Sequence, residues 1–298
     1  MDWDKLRSFH AAAETGSLTA AGERLRISQS AVSRQIAALE DSVGVPLFQR
    51  HARGLVLTDS GVRLHQATKE MAQAAFNAQA IIRDAKDTPQ GELVVTSPIA
   101  FGSTWLTDRL PKFTERYPDI HLRLVLNDGE HDLLKLEAEC AIRLWAANKA
   151  DLIQRKLMPV HTSLYASRAY LERHGMPTHP SELDNHRIIV YGEDNERMQS
   201  ANWAQRVGRD DMQPRPPSLT VNNVIAMVRC AEAGLGVADL PDYMVGANSR
   251  LVKVLPDISG PAFELFFIYP SDLRRSARIA AFRDFLTEEI SLFLKGTG

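Results

Sequence analysis

The segment from residue 28 to residue 43 constrains the fold of this 298-residue chain more than any other part of it. Apolar residues recur there at helical spacing: Val32, Ile36, Leu39 and Val43. They form one narrow stripe along a helix, which must be buried against neighbouring helices. The opposite face carries small or polar residues: Ser30, Ser33, Arg34 and Ala37. Since it lacks the bulky charges of an ordinary solvated helix, this face is suited to insertion into a groove.

The side chains along this face have the chemistry of a reader of the DNA major groove. Arg34 can bond guanine through two hydrogen bonds, Gln29 can bond adenine in the same way, and serine hydroxyls reach bases or phosphate oxygens. The residues expected to contact DNA on this helix and the one before it are Thr19, Ser28, Gln29, Ser30, Ser33 and Arg34.

Two shorter helices are predicted before this segment. Leu6, Phe9 and Ala13 mark the first, which ends near Gly16, and serines at 17 and 28 are placed to cap the second and third. Two helices joined by a short turn, the second with a groove-reading face, make a helix-turn-helix. On helical periodicity alone we favour the alternative, a plain three-helix bundle.

A basic hairpin is predicted directly after these helices. Two strand-like runs between Leu47 and Thr58 flank a turn that carries Arg50 and Arg53, which reads as a wing. From residue 24 to residue 63 there are six arginines and three acidic residues, a local net charge of +3 in a chain whose overall charge is -2. We expect Arg50 and Arg53 to contact phosphates, which adds affinity without sequence preference.

Residues 58 to 87 are predicted to form one long helix. Its apolar residues are spaced three and four apart over three heptads: Leu64, Ala67, Met71, Ala74, Ala78, Ile81 and Ala85. This is the a/d seam of a coiled coil, so the helix is expected to pair with a second copy of the chain. The alternative is a long helix that packs on its own C-terminal domain.

From residue 88 onward, strand and helix patterns alternate, which predicts mostly parallel α/β sheets. Ligands in such sheets bind beyond the carboxyl ends of the strands, where helix N-termini converge. The candidate effector-binding residues at these points are Ser97, Ser103, Thr104, Asn127, Asn222 and Asn223. Hydroxyl and amide groups suit a small carboxylate, although each of these residues also fits an ordinary cap or turn.

Several classes of function are not supported by the sequence. The apolar runs are too short for a membrane helix, and the acidic start does not resemble a secretory signal, so we expect a cytoplasmic protein. Cys140 and Cys230 lack metal-site spacing, and no catalytic, dinucleotide or phosphate-loop motif is found. We therefore predict no catalytic residues, metal or cofactor.

The motifs taken together resemble the LysR-type transcriptional regulators. The N-terminal resemblance lies in Phe9, Ala20-Ala21, Leu25, residues 28–33, Ile36, Leu39-Glu40, residues 44–50 and residues 57–61. The C-terminal resemblance lies in residues 141–143, 151–153, 165–171, 174–177 and 234–241. It covers nearly the whole chain and overrides the plain bundle.

The resemblance implies a winged helix-turn-helix at residues 1–58, a dimerisation helix at 59–87 and a periplasmic-binding-protein-like effector domain at 91–298. The effector domain is expected to contain subdomain 1 (91–162 and 267–298) and subdomain 2 (163–266), with strand crossings near Thr162-Ser163 and Phe266-Phe267. We expect Arg143 to be structural. The expected partners are promoter DNA, a small-molecule effector and further copies of the chain, as a dimer or a dimer of dimers. A transport-type solute-binding protein is the alternative from another class.

Overall fold

A computed structural model describes residues 2–51, 54–83, 88–128, 138–148, 151–192, 200–209, 213–246 and 249–296. The chain divides into two compact units. The first contains Met1–Lys86 and Glu130–Glu139, and the second contains Asp87–Gly129 and Cys140–Gly298.

Three helices form the core of the first unit, as predicted: α1 (Trp3–Thr15), α2 (Leu18–Leu25) and α3 (Gln29–Val43). Ser17 and Ser28 cap α2 and α3, because each side chain accepts a hydrogen bond from the backbone N–H three residues later. Gly44 ends α3 with a left-handed φ of 74°, which glycine adopts without steric cost.

The predicted apolar stripe of α3 is buried over most of its length. Val32, Ile36 and Leu39 join Phe9 of α1 in one core cluster. Ser8 on α1 also donates a hydrogen bond to Gln35 on α3, which ties the two helices together. Val43 was expected in the same stripe but is 37 % exposed, because it is the last helical residue and lies beyond this packed region.

A two-stranded hairpin and a long helix complete the first unit. The antiparallel strands β1 (Phe48–His51) and β2 (Gly54–Leu57) form the predicted wing. Helix α4 (Asp59–Arg83) follows at once and packs on α1. The predicted long helix is therefore confirmed over most of its expected length.

The second unit contains two five-stranded sheets. The first has the order β4-β3-β5-β12-β6, and its strands are β3 (Gly91–Ser97), β4 (Ile120–Leu126), β5 (Cys140–Arg143), β6 (Leu152–Val160) and β12 (Phe263–Pro270). The second has the order β11-β7-β10-β8-β9, and its strands are β7 (Thr162–Ser167), β8 (Ile188–Tyr191), β9 (Leu219–Val221), β10 (Val237–Pro241) and β11 (Leu251–Val254).

Both sheets are mixed, which corrects the prediction of mostly parallel strands. Strand β3 pairs in parallel with β4 and β5, but β12 is antiparallel to β5 and β6. In the second sheet, β8 is parallel to β9 and β10, but β7 is antiparallel to β10 and β11. The antiparallel pairs involve β6, β7, β11 and β12, which flank the two passages between the sheets.

The chain passes between the sheets twice. It leaves the first sheet at the end of β6 and enters the second at Thr162, close to the predicted first crossing. It returns between β11 and β12. Phe266 and Phe267 lie inside β12, where they pair with β6, so the return falls earlier than the predicted position.

Helices cover the sheets. The first sheet carries a helical segment that begins with α5 (Ile99–Phe101), continues as a π-helical turn (Gly102–Leu106) and a 3-10 turn (Thr107–Arg109), and ends in α6 (Leu110–Arg116). The other helices are α7 (Arg168–His174), α8 (Val224–Glu232) and α9 (Ala277–Leu294). The predicted helix at 133–138 lies largely outside the described residues. Within the described chain, no helix has the length and apolar character needed to cross a membrane.

Candidate functional site

The N-terminal half of α3 presents an exposed polar face. Gln29, Ser30 and Arg34 are exposed, and Ser33 is half-buried. The hydroxyl of Ser28 accepts a hydrogen bond from the Ala31 N–H at 3.2 Å, which fixes where the helix begins. The side chains that the sequence singled out as base readers therefore project from a capped, rigid helix.

The wing is attached to α3 through Glu40. Its Oε1 accepts hydrogen bonds from the backbone N–H groups of Leu47 at 2.7 Å and Phe48 at 3.1 Å. Arg50 lies in β1 of the wing, while Arg53 lies outside the described residues. The α3 carboxylate of Glu40 thus connects the two candidate DNA-contacting elements directly.

A polar cluster joins α1 to α4. The carboxylate of Glu14 lies 2.9 Å from His65 Nε2 and 3.9 Å from Lys69 Nζ. The hydrogen bond with His65 is the largest cause that lowers the pKa of Glu14 to about 2. This cluster fixes one face of α4 against the helix-turn-helix.

The opposite face of α4 carries the predicted seam. Ala67, Met71 and Ala74 are exposed in the single chain, whereas Thr68 and Lys69 on the α1 side are buried. Of the remaining seam residues, Leu64 packs on the helix-turn-helix core. The side chains of Ala78 and Ile81, and all of Ala85, lie outside the described residues.

A pocket lies between the two sheets of the second unit. The first sheet and its connections contribute Pro98, Ala100, Asn127, Asp128, Arg143, Leu144, Trp145, Val160 and Phe263. The second contributes Thr162, Tyr191, Val224, Met227, Asp239, Pro241 and Tyr243. Most of these residues follow or end strands, so the pocket lies at the carboxyl ends of parallel strands as the sequence predicts.

Arg143, at the end of β5, places a positive charge in the pocket wall. Its Nη1 donates to the carbonyl of Ile142 at 2.8 Å, and its Nη2 donates to the Thr96 hydroxyl at 3.1 Å. Burial lowers the pKa of Arg143 to about 10, and the charge of Asp128 opposes that shift. Arg143 is therefore cationic at neutral pH, and a guanidinium group has five N–H donors, of which these bonds use two.

Asp239, in the middle of β10, places a carboxyl group in the opposite wall. It is 6 % exposed, and neither carboxyl oxygen has a hydrogen-bond partner among the described residues. Burial raises the pKa of Asp239 to about 8, although the nearby Trp203 indole and Thr162 hydroxyl partly stabilise the ionised form. At neutral pH this carboxyl group is largely protonated.

Of the six predicted effector residues, Asn127 lines the pocket. Ser97 is fully buried, and its Oγ would lie 3.2 Å from a Cβ at Gly102. The Asn223 side chain caps α8 by accepting a hydrogen bond from Ala226 N–H at 3.0 Å, and Asn222 is exposed.

Ser103 and Thr104 were expected at a helix N-terminus, but the helix begins at Ile99. They therefore lie one turn inside it, and their hydroxyls donate to the carbonyls of Ile99 and Ala100. At the true N-terminus, Asp128 Oδ1 accepts a hydrogen bond from Ile99 N–H at 2.8 Å. The N–H at the actual start of the helix is thus bonded to a protein carboxylate.

Two family models match this chain. The model of the bacterial regulatory helix-turn-helix protein of the lysR family matches residues 3–62, and the LysR substrate binding domain matches residues 86–291. The chain belongs to the LysR family of DNA-binding transcriptional regulators.

Relatives match this LysR-type regulator along nearly its whole length. An HTH-type transcriptional regulator of Xanthomonas campestris is 30% identical over 93% of this chain and 82% of its own. CrgA of Neisseria meningitidis is 30% identical over 98% of both chains.

Solved structures have the same fold. CrgA, a LysR-type transcriptional regulator from Neisseria meningitidis, has a TM-score of 0.61 at 29% identity and covers 97% of this chain and 99% of its own. The full-length Vibrio cholerae virulence activator AphB has a TM-score of 0.64 at 26% identity, with the same coverage. The expected fold class is confirmed, and the plain helical bundle and the transport-type binding protein are excluded as descriptions of this chain.

Two pocket residues of this LysR-type regulator were not identified from the sequence. Arg143 was expected to be structural, and Asp239 was not among the expected effector-binding residues. The sequence feature that could have identified Asp239 is its position as an acidic residue within the otherwise apolar run Val237–Leu240. A charged residue in a buried strand is unusual unless it is paired or functional.

Proposed function

We propose that this regulator binds a roughly palindromic promoter site as a dimer or a dimer of dimers and alters its DNA bending when a small molecule occupies the pocket. DNA contact is expected from the winged helix-turn-helix of residues 1–58, with α4 within residues 59–87 as the dimerisation helix. Since its target is DNA, we expect it to act in the cytoplasm.

The exposed face of α3 carries this proposal. Gln29 and Arg34 have the donor and acceptor groups that distinguish bases, while Ser28, Ser30, Ser33 and Thr19 are suited to phosphate or base contacts. Arg50 and Arg53 on the wing are expected to bind phosphates without regard to sequence.

Effector binding is proposed for the pocket between the sheets, in the 91–298 domain. A ligand that contacts both walls would favour one relative arrangement of the two sheets, because it can bind well only when the walls are correctly spaced. Asn127 is retained from the predicted effector set. For Ser97, Ser103, Thr104, Asn222 and Asn223, the observed hydrogen bonds, burial or exposure favour structural roles.

The DNA-reading role is tested by selecting bound fragments from a random DNA library with the full chain and measuring affinity on single-base variants of the selected site. We expect Arg34→Ala to lose preference at one base pair, a cost of about 1 to 3 kcal/mol there. Arg50→Ala is the matched control, because it removes an arginine from the wing and should weaken all variants alike. Equal, uniform losses for both substitutions would refute the division between reading and positioning residues.

A further inference from the structure

The pocket contains two ionisable groups, Arg143 and Asp239, that lie in opposite walls and do not hydrogen-bond to each other. Asp128, in the same wall as Arg143, lies near enough for its charge to act on the guanidinium group. Asp239 has two carboxyl oxygens without hydrogen-bond partners among the described residues. For Arg143, the hydrogen bonds found in the described part of the chain go to neutral oxygens, those of Ile142 and Thr96. Buried polar groups are normally satisfied, so two such groups facing one cavity mark positions that a ligand can complete.

We propose that the effector is a small zwitterion, with a carboxylate that binds Arg143, an ammonium group that binds Asp239, and an apolar body between or beside them. This inference rests on the proposed function, since it specifies the ligand of the same pocket.

The ionisable groups of the two walls favour a zwitterion over a simple carboxylate. A carboxylate matches the remaining donors of Arg143, because guanidinium and carboxylate groups bond through two parallel hydrogen bonds. A simple carboxylate would leave the Asp239 carboxyl group without an opposite charge. An ammonium group has three donors, so it can satisfy both oxygens at once.

The remaining walls suit an apolar body and an ammonium group. Tyr191, Tyr243, Trp145 and Phe263 line the pocket together with aliphatic side chains. Aromatic rings attract ammonium groups through their faces and also cover apolar surface. Tyr243 also contacts Phe101 of α5, with ring centroids 5.8 Å apart, so an aromatic pair joins the two sides of the effector domain beside the pocket.

The proposal implies that binding releases a proton. Among the groups near Asp239, Trp203 and Thr162 favour the charged form, whereas burial and the negative charge of Asp242 favour the protonated form. The ammonium ligand brings a positive charge, so Asp239 should ionise and release its proton to solvent while the ligand amine keeps its own proton. Below the raised pKa of Asp239, close to one proton should leave per bound ligand.

The test uses the full chain and titration calorimetry at pH 7 in two buffers with different ionisation enthalpies. The probes are the common L-α-amino acids and short unbranched ω-amino acids, and each compound that binds is compared with its analogues lacking the amine or the carboxylate. For leucine these are 4-methylpentanoate and 3-methylbutylamine. We expect each analogue to bind at least about tenfold more weakly than the zwitterion, because one buried charge-assisted contact is lost.

Asp239→Asn and Asp242→Asn form a matched pair of variants. Asp239→Asn keeps the shape of the side chain and should lose at least about tenfold in affinity together with the proton release. Asp242→Asn removes a neighbouring acidic residue that bonds Tyr165 at 3.0 Å and does not line the pocket, so it should retain the affinity. Its proton release should be somewhat smaller than that of the wild type but not lost, because the charge of Asp242 also favours the protonated form of Asp239.

The proposal is overturned if no zwitterion of the panel binds, if the amine-free acid binds as tightly as its parent, or if Asp239→Asn binds and releases protons as the wild type does. Operator selectivity is measured on the same preparations without ligand. If selectivity is retained when zwitterions fail, the choice of ligand is wrong and the DNA-binding role stands. If selectivity is lost in the wild type, the proposed function itself fails.

Discussion

Removing the Glu40 carboxylate should loosen the wing from the reading helix. Glu40 Oε1 accepts hydrogen bonds from the N–H groups of Leu47 and Phe48, at 2.7 and 3.1 Å. Leu47 is 2 % exposed, so its N–H has little access to water as a replacement acceptor. Glu40→Ala deletes both bonds at once, and a hydrogen bond to a charged group contributes about 1.5 to 3 kcal/mol.

We expect Glu40→Ala to cost about 2 to 4 kcal/mol, somewhat below the sum of two full bonds because the half-buried Phe48 N–H can recruit water. Glu40→Gln retains the acceptor oxygen without the charge and should cost about 1 to 2 kcal/mol. The hydrogen-exchange rates of the Leu47 and Phe48 amides in the full chain measure this loss of free energy directly. A loss of 2 to 4 kcal/mol corresponds to exchange roughly 30- to 800-fold faster.

Asp41→Ala is the matched control for this experiment. It removes an exposed carboxylate from the next position of α3, so amide protection at Leu47 and Phe48 should stay unchanged. DNA affinity should fall in Glu40→Ala and remain near the wild-type value in Asp41→Ala. Equal protection in Glu40→Ala and the wild type would refute the conclusion that this carboxylate holds the wing.

Three further predictions concern assembly and stability. Ala74→Asp should dissociate the dimer because two like charges would meet at the seam, and sedimentation showing an unchanged assembly would remove the coiled-coil proposal. The pKa of Glu14 is lowered, so its bond with His65 should stabilise the fold by about 2 to 3 kcal/mol above pH 4.5. This stabilisation should disappear as the pH falls towards 2, and the acid denaturation of Glu14→Gln should lack this pH dependence. A Cβ at Gly61 would lie 2.1 Å from the Leu47 carbonyl oxygen, so Gly61→Ala should lower the urea midpoint, and a wild-type midpoint would contradict this packing.

The helices and strands that depend on local sequence patterns were predicted correctly. The caps at Ser17 and Ser28, the wing strands, β3 and α4 occur where spacing and turn residues place them. Each depends on interactions between residues a few positions apart, which a single sequence displays directly. The start of the helix at Ile99 was missed because its N-terminus is bonded by Asp128, a residue distant in sequence.

The residues of the candidate sites also divide into those that local sequence patterns predict and those that only distant contacts bring together. The exposed polar face of α3, proposed to read DNA, could be derived from the sequence because one helix carries all its side chains, and helical periodicity alone decides which of them share a face. The general place of the pocket followed from strand and helix order, but most of its lining residues did not.

The sequence by itself determined the three N-terminal helices, the wing strands, the long helix and the succession of strands, since these follow from periodicity, capping and turn chemistry. The choice of a helix-turn-helix over a plain bundle came from the resemblance to the LysR-type regulators. Only the tertiary structure decided that Arg143 of β5 and Asp239 of β10 face one cavity. The two residues belong to different sheets, and the chain passes between those sheets twice. The raised pKa of Asp239 has the same origin, because it depends on the water excluded by residues that the fold brings together from distant parts of the chain.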